Sequence, residues 1–473
     1  MFQKFLILFV CVFTATSSFA KGISPYLPLN LSPEIELMIE KAFALTQGVP
    51  LSKPYKAADL QRSIKQISDT HPQLYQQLKH YLSRFEQVRG ITHKSATLSV
   101  TNNADKAIPN SRNIEVSSNL EVSLGGFSFF SPYVYIATGS VWSEQADLTH
   151  FNTHIGFGYE YAQVELGYRE HWFSPFVDGA MILSTHAKPS PSITISNSTA
   201  ISHWKIRYEV FYSELEEVSG IVLGNQSFPG KPKLAGIHLS LVPLDNWTLG
   251  VSRVAQFGGG QRKVGFSDVI QAIFNPAGID NVGDYEGDDP NFEFGNQLAS
   301  VTSKVNFNWG MPISVYAEIG AEDTEGEKNY KLGNESFSFG LFLPMFTDKM
   351  SLRYEFNRWS TAWYVHHLYE QGYTNEGQVI GHWAGGERDL SMDTPAQVHA
   401  VNLAWQLSSK QILDTTIRHI KNENEEDFSY KAGIEINMRY SHATQYGFLG
   451  FELYLGRDVF NHDFGRLSGF YRW

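Results

Sequence analysis

The sequence predicts a mainly β protein: a transmembrane antiparallel β-barrel of about eighteen strands with an N-terminal periplasmic helical bundle. Three observations predict this fold: an apolar leader at the N-terminus, a long region of alternating apolar and polar residues, and a final strand that ends on the aromatic residue Trp473. In a closed barrel the last strand pairs with the first, so no strand edge is left exposed. A soluble β-sandwich would not sort its connections into short turns and long loops in this way.

Residues 1–20 have the pattern of a secretory signal peptide. Lys4 is followed by an apolar run that is too short to span a bilayer, and Ala20 stands at the small-residue position before cleavage. Cys11 lies inside this leader and is the only cysteine of the chain. The mature protein is therefore expected to form no disulfide, as suits an exported protein of a bacterial envelope.

Residues 21–93 are expected to form the periplasmic helical bundle. Ser32, Pro33 and Glu34 give an N-cap, a proline in the first turn and an acidic start. Apolar residues at helical spacing follow in three segments: Ile35 to Phe43, Leu60 to Ile67, and Leu74 to Phe85. The sequence leaves open whether these apolar faces pack on one another or on another surface.

Residues 94–473 are expected to form the barrel, because apolar residues alternate with polar ones from about Ser95 onward. The alternation changes parity at short turns, which predicts hairpins. Such turns are found near residues 162, 243–246, 310–312, 344–349 and 408–410. Between the hairpins lie longer polar connections at 169–190, 256–296, 358–396, 421–427 and 457–465. Short turns at one end and long loops at the other are typical of outer-membrane barrels, whose long loops are extracellular.

Composition excludes some classes of function. The formal net charge of −12 argues against binding of nucleic acid, which requires a basic surface. After the leader, no apolar stretch is long enough for a membrane-spanning helix. A hydrophobic content of 42% fits a barrel whose interior is polar.

The long loops contain most of the unusual side chains, and we interpret them as a polysaccharide-binding site. Aromatic rings stack on the apolar faces of sugars, while neighbouring polar groups hydrogen-bond to the hydroxyls. Cations would compensate the acidic net charge if the polymer is anionic. The candidate residues are Arg169, Trp172, Lys188, Arg262, Trp359, Trp363, Tyr364, His366, Trp383 and Arg388. The alternative is that these aromatics pack the loops against each other or form an interfacial girdle.

No catalytic residue, cofactor or metal is expected. The acidic residues Asp280, Asp284, Glu286, Asp288 and Asp289 lack the spacing of a calcium-binding EF-hand. His366 and His367 are adjacent, so a strand would place them on opposite faces and prevent a shared metal. No Gly-x-Ser-x-Gly context for a nucleophile is present.

Several linear segments resemble the capsule assembly Wzi family. They are residues 165–176 (ELGYREHWFSPF), 183–191 (LSTHAKPSP), 230–240 (GKPKLAGIHLS), 295–303 (GNQLASVTS), 379–383 (VIGHW) and 456–460 (GRDVF). The likeness covers nearly the whole mature chain. It implies an eighteen-stranded outer-membrane barrel with a helical bundle at its lower mouth, acting as a surface lectin that holds capsular polysaccharide on the cell without polymerising or exporting it.

The sequence therefore favours a non-enzymatic, outer-membrane, lectin-like protein that binds capsular polysaccharide through extracellular loops and helps attach and assemble the capsule. The expected partners are this polysaccharide, outer-membrane lipid and lipopolysaccharide, and the barrel insertion machinery, which would read the C-terminal strand. The alternative is a channel for saccharides or other small solutes, since about eighteen strands can enclose an aqueous lumen. A hydrolase is disfavoured because no nucleophile context is present.

Overall fold

The computed structural model describes residues 22–145, 147–265, 267–269, 272, 293–322, 333–390, 394–423 and 429–473. The predicted signal peptide and the acidic segment 280–289 both lie outside these residues.

Among the described residues, three α-helices precede the barrel, at the positions that the apolar spacing predicts. They are α1 (Pro33–Leu45), α2 (Ala57–Ile64) and α3 (Pro72–Leu82), and the 3-10 turns Lys65–Ile67 and Ser83–Glu86 extend α2 and α3. Ser32 stands at the N-cap of α1, where its backbone carbonyl accepts hydrogen bonds from the amides of Ile35 and Glu36. Among the described residues, no helix has the length and apolar character needed to cross a membrane.

Eighteen antiparallel strands form one sheet. They are β1 (Arg89–Thr101), β2 (Leu120–Ser131), β3 (Val134–Ser143), β4 (Asp147–His150 and Asn152–Tyr159), β5 (Ala162–Arg169), β6 (Pro191–Ser196), β7 (Arg207–Glu214), β8 (Lys233–Leu244), β9 (Trp247–Phe257), β10 (Gly295–Asn308), β11 (Pro312–Glu322), β12 (Glu335–Thr347), β13 (Met350–Trp359), β14 (Ala396–Ser408), β15 (Gln411–Asn422), β16 (Gly433–Thr444), β17 (Gly447–Arg457) and β18 (Asp463–Arg472). The strand β4 is interrupted at Phe151, and both of its parts pair with β3.

The sheet closes on itself, which confirms the predicted barrel. Strand β18 pairs with β1 from Ser95↔Arg472 to Thr101↔Arg466. The amide of Trp473 then donates to the carbonyl of Lys94 at 2.8 Å. Closure satisfies the backbone groups of both terminal strands, so the final aromatic residue lies on the rim and not on a free edge.

The side chains of the strands alternate between the lumen and the outer face. In β18, Arg466 and Ser468 are buried inside, whereas Leu467 between them is 54% exposed. In β1, Leu98 and Val100 are exposed on the outside while Ser99 is buried. An apolar exterior around a polar interior is the pattern that a lipid-facing barrel requires.

The two ends of the barrel differ in their connections. At one end, which we call the short-turn mouth, strands are joined by turns such as 132–133, 245–246 and 445–446. At the other end, the long-loop mouth, the connections include 170–190, 258–294 and 360–395. The helices lie at the short-turn mouth, where Arg207 at the start of β7 pairs with Asp59 of α2 at 2.9 Å.

The N-terminal residues 22–86, which we call the N-terminal plug, fill the short-turn mouth. Glu40 of α1 lies 3.5 to 3.9 Å from the cationic groups of Lys53, Lys304 and Arg353, the last two on the barrel wall. The side-chain amide of Asn306 in β10 donates to the carbonyl of Phe43 at 2.6 Å. The helix α1 is therefore anchored inside the mouth by charges and hydrogen bonds from the wall.

Candidate functional site

Three connections of the long-loop mouth fold back into the lumen. We call these segments the loop plug: residues 102–119, 170–190 and 360–390. The backbone of Trp172 exchanges hydrogen bonds of 2.8 and 3.0 Å with Lys53, so the loop plug meets the N-terminal plug directly. Asn30 also donates to the hydroxyl of Thr185 at 2.6 Å. The lumen is thus occupied from both mouths.

The loop plug has an apolar core of its own. Buried loop side chains pack against inward-facing residues of the wall: Phe173, Met181, Ile182, Leu183, Trp363, Tyr364, Tyr373, Val379, Ile380 and Trp383 meet Phe211, Leu234, Val254, Leu298, Trp359, Val398 and Ile420. The rings of Tyr364 and Tyr373 stack at 5.8 Å between centroids. The hydroxyl of Tyr364 donates to the carbonyl of Met181 and accepts the amide of His382 at 2.8 Å.

Polar groups fix this core to the barrel. Asp178 accepts hydrogen bonds from Arg418 of β15 at 2.7 Å and from the indole of Trp383 at 3.3 Å. Its own amide donates to the carboxylate of Glu355 in β13 at 2.8 Å. Since these bonds join two loops to two wall strands, the loop plug is held in one position.

The five aromatic candidates from the sequence all lie inside the lumen. Trp359, Trp363, Tyr364 and Trp383 belong to the core of the loop plug, and Trp172 packs with Leu29 and Ala180. Each is at most 1% exposed. A direct contact between these rings and a polymer outside the barrel stays a prediction, and such a contact would require the loop plug to open. The observed packing of the rings agrees with the alternative interpretation, in which the aromatic residues pack the loops against each other.

The four cationic candidates are engaged in ion pairs or in hydrogen bonds to carbonyls. Arg169 pairs with Glu209 at 2.6 Å. Arg262 donates to the carbonyls of Val222 and Glu293. Arg388 donates to the carbonyls of Trp363 and Thr394. Lys188 pairs with Glu376 and is the one candidate cation that reaches the surface in part. Arg388 therefore joins the aromatic core, whereas Arg169 and Arg262 lie apart from it.

The remaining candidate, His366, forms a cluster with His367 and Glu293. The segment 366–369 is a turn and not a strand, because the amide of Tyr369 donates to the carbonyl of His366. The two imidazoles consequently stack at 4.8 Å, and the expectation that they point to opposite faces is wrong. Burial raises the pKa of Glu293, but hydrogen bonds from both histidines outweigh this and lower it to about 2.

Sequence reasoning missed a hairpin that covers part of the long-loop mouth. We call it the cap hairpin: Val218–Leu223 paired with Gln226–Gly230. Its Ile221 is buried against Leu368 and Tyr369 of the loop plug, while Asn225, Gln226 and Ser227 at its tip are exposed. The dipeptide Gly224-Asn225, with Gly224 at a φ of 60°, is a two-residue turn signal that could have revealed it.

A polar cavity remains in the lower lumen beside α1. Its volume is about 310 Å³, and acidic and basic side chains that pair with each other line it. For example, Glu452 accepts hydrogen bonds from Arg439 at 3.2 Å and from Arg472 at 3.1 Å. Because acidic side chains such as Glu452 are paired with basic ones, these ion pairs stabilise the arrangement of side chains in the lower lumen.

The sequence model of the family described as capsule assembly protein Wzi matches residues 86–455. This match covers most of the chain, so the chain belongs to the capsule assembly protein Wzi family.

Two further similarities agree with this assignment. The chain superposes with a TM-score of 0.69, at 15% sequence identity, on the structure of Wzi, described as an outer membrane protein involved in group 1 capsule assembly in Escherichia coli and a carbohydrate-binding β-barrel. This superposition covers 95% of this chain and 99% of that one, and it shows the shared fold. An uncharacterized 55.8 kDa protein of the cps region of Klebsiella pneumoniae is 24% identical over 173 residues, which are 34% of this chain and 31% of that protein.

Family membership and fold together place the protein in the bacterial outer membrane. The long-loop mouth is extracellular, and the short-turn mouth with its helices is periplasmic.

Proposed function

We propose that this Wzi-family protein binds capsular polysaccharide on its extracellular face and so helps to attach and assemble the capsule, without cleaving the polymer. One observation carries the proposal: both mouths of the lumen are filled, while polar side chains remain exposed on the cap hairpin and on the outer surface of the loop plug. A long polymer would then be held at the surface and would not pass through the barrel.

The chemistry of the cap hairpin suits a sugar polymer. The tip residues Asn225, Gln226 and Ser227 offer amide and hydroxyl groups that can both donate and accept hydrogen bonds, as sugar hydroxyls do. At the base of the hairpin, the side-chain amide of Gln371 donates to the hydroxyl of Ser219 at 3.0 Å, which links the hairpin to the loop plug. The tip is therefore a polar platform on a fixed base.

Positive charge beside the cap hairpin and the repeated sugar units of the polymer would both strengthen the interaction. Lys231 is exposed directly after the cap hairpin and can attract an anionic polymer despite the acidic net charge. Each contact with a sugar unit is weak. A polymer that touches many protein copies gains effective affinity from its repeated units, so modest sites are sufficient for attachment.

The proposal is tested by comparing purified protein and cells. Removing the tip side chains (Asn225→Ala, Gln226→Ala and Ser227→Ala together) is expected to weaken binding of purified capsular polysaccharide, measured by surface plasmon resonance. In a deletion strain complemented with this variant, more capsule is expected in the medium and less on the cells.

A matched control is Gln73→Ala, Gln76→Ala and Gln77→Ala on the exposed face of the periplasmic helix α3. Equal retention by both variants would remove the cap hairpin from the binding surface, and equal retention by the deletion strain would overturn the capsule role.

Two further measurements separate binding from the other functions considered. In planar bilayers, the intact protein is expected to show no steady porin-like current, because the two plugs occupy both mouths of the lumen. Incubation with the polymer is expected to leave its chain length unchanged in size-exclusion chromatography. Steady currents would support a channel, and shortened chains would support a hydrolase.

A further inference from the structure

Glu293, His366 and His367 form a compact donor set at the long-loop mouth, independent of the polysaccharide proposal. His366 Nε2 lies 3.2 Å from Glu293 Oε1, and His367 Nε2 lies 2.8 Å from Glu293 Oε2. One ligand atom from each of the three residues lies within 4.8 Å of the other two. Both carboxylate oxygens are thus engaged by the two imidazoles.

Two of the three side chains are buried and the third is exposed to solvent. The side chains of His366 and Glu293 are 5% and 7% exposed, whereas that of His367 is 59% exposed. Two donors are therefore held by their surroundings, and the third faces solvent and can adjust. An ion could enter from the extracellular side, where His367 is located.

We propose that Glu293, His366 and His367 bind a divalent transition-metal ion of the zinc class, with water in the fourth position. Two imidazole nitrogens and one carboxylate oxygen are a donor set that zinc prefers, at bond lengths of about 2.0–2.2 Å. The site joins two extracellular connections that are far apart in the sequence, because Glu293 precedes β10 and the histidines follow β13. A bound ion would therefore cross-link these connections.

Binding requires two local adjustments. Tetrahedral ligands at these bond lengths are about 3.3 Å apart. The 2.8 Å contact between His367 Nε2 and Glu293 Oε2 must therefore lengthen, while donor atoms up to 4.8 Å apart must approach, and the exposed His367 can move most freely. The imidazole of His366 must also place its remaining proton on Nδ1, which now accepts the amide of Leu368 over a long 3.3 Å. The guanidinium of Arg262, which donates to the carbonyl of Glu293, adds positive charge nearby. The carboxylate of Glu293 offsets this charge.

The experiment uses the full-length, detergent-solubilised protein without a polyhistidine tag, titrated with Zn²⁺ by isothermal titration calorimetry. One ion per chain is expected, and Zn²⁺ should raise the thermal transition relative to EDTA-treated protein. His367→Ala is expected to weaken binding about ten-fold or more, as loss of a direct ligand should. Since His367 is exposed, this variant should fold normally, and the heat-dependent mobility shift of folded barrels in electrophoresis checks that.

The matched control is His462→Ala. His462 is exposed at the same mouth and lies 3.5 Å from the carboxylate of Asp458, but among the described residues it belongs to no group of three metal-ligating side chains. Its removal should leave zinc affinity unchanged. Glu293→Gln should weaken binding as His367→Ala does. Absence of stoichiometric Zn²⁺ binding, or equal losses in His462→Ala and His367→Ala, would overturn the proposal.

Discussion

The two plugs both combine an apolar core with ion pairs to the wall, but they arrange their buried charges differently. The loop plug packs large apolar and aromatic side chains against apolar wall residues, such as Phe211 and Leu298. In the N-terminal plug, Glu40 lies among Lys53, Lys304 and Arg353, whereas Asp178 of the loop plug pairs with Arg418. Hydrophobic packing is insensitive to pH, whereas ion pairs depend on protonation and tolerate poorly the loss of one partner. The comparison teaches that loss of Glu40's cationic partners should weaken the N-terminal plug, whereas loss of aromatic packing should weaken the loop plug.

The largest effect is expected from a cavity in the loop plug. Trp363→Ala removes a fully buried side chain and should cost about 3–5 kcal/mol of local stability. Hydrogen exchange of the amides in 360–390 measures this cost, and amides of α1 should change little. The control Trp309→Ala removes an indole that is 83% exposed in a periplasmic turn. If exchange rose equally in both plugs, they would form one cooperative unit and the comparison would fail.

A single wall charge should destabilise the N-terminal plug nearly as much. Arg353 lies 3.5 Å from Glu355 and 3.9 Å from Glu40, so Arg353→Met leaves buried carboxylates with fewer partners. We expect a cost of about 3 kcal/mol, seen as faster exchange of the α1 amides. Lys349→Met, in an exposed periplasmic turn, is the control. Unchanged exchange in α1 would show that these charges do not hold the helix.

Acid should remove the stabilisation that Glu40 gives to the N-terminal plug, while Glu36 on the same helix acts in the opposite direction because burial raises its pKa from 4.5 to about 6. Burial raises the pKa of Glu40, but Lys53, Lys304 and Arg353 outweigh this and lower it from 4.5 to about 2. The unfolded state therefore binds more protons between these values, and the stabilisation by Glu40 is lost as pH falls through this window. Between pH 7 and pH 3 the loss should be about 2 kcal/mol. Exchange of α1 amides, corrected for intrinsic rates, should show the stability difference between wild type and Glu40→Gln shrinking by this amount as pH falls; a difference that stays constant with pH would contradict this assignment.

The smallest effect concerns one hydroxyl of the loop plug. Tyr364→Phe removes the group that accepts the His382 amide and donates to Met181 while keeping the ring. The expected cost is about 1 kcal/mol, since one buried amide loses its acceptor. Exchange of the His382 amide should report it, and Tyr133→Phe in an exposed turn is the control. A cost as large as that of Trp363→Ala would mean that hydrogen bonds, and not packing, hold the loop plug.

The aromatic residues of the long loops show where sequence reasoning reached its limit. Trp363 and Trp383 are readily identified in the sequence as candidate residues. A loop has no periodic pattern, however, so the sequence does not predict whether their rings face the lumen or the solvent. Their direction is set by contacts such as that of Trp383 with Asp178, 205 residues away. The cap hairpin, by contrast, carried a local turn signal at Gly224-Asn225 that was available in the sequence.

Local pattern by itself predicted a closed barrel of about eighteen strands, the three helices and the sorting of short turns from long loops. The reason is that period-2 alternation and turn chemistry act between near neighbours, as in Leu467 and Ser468 of β18. Only the tertiary structure decided that the loops fold inward, that α1 enters the periplasmic mouth, and that His366 and His367 share Glu293. Those features depend on side chains brought together across the lumen, and no local pattern records them.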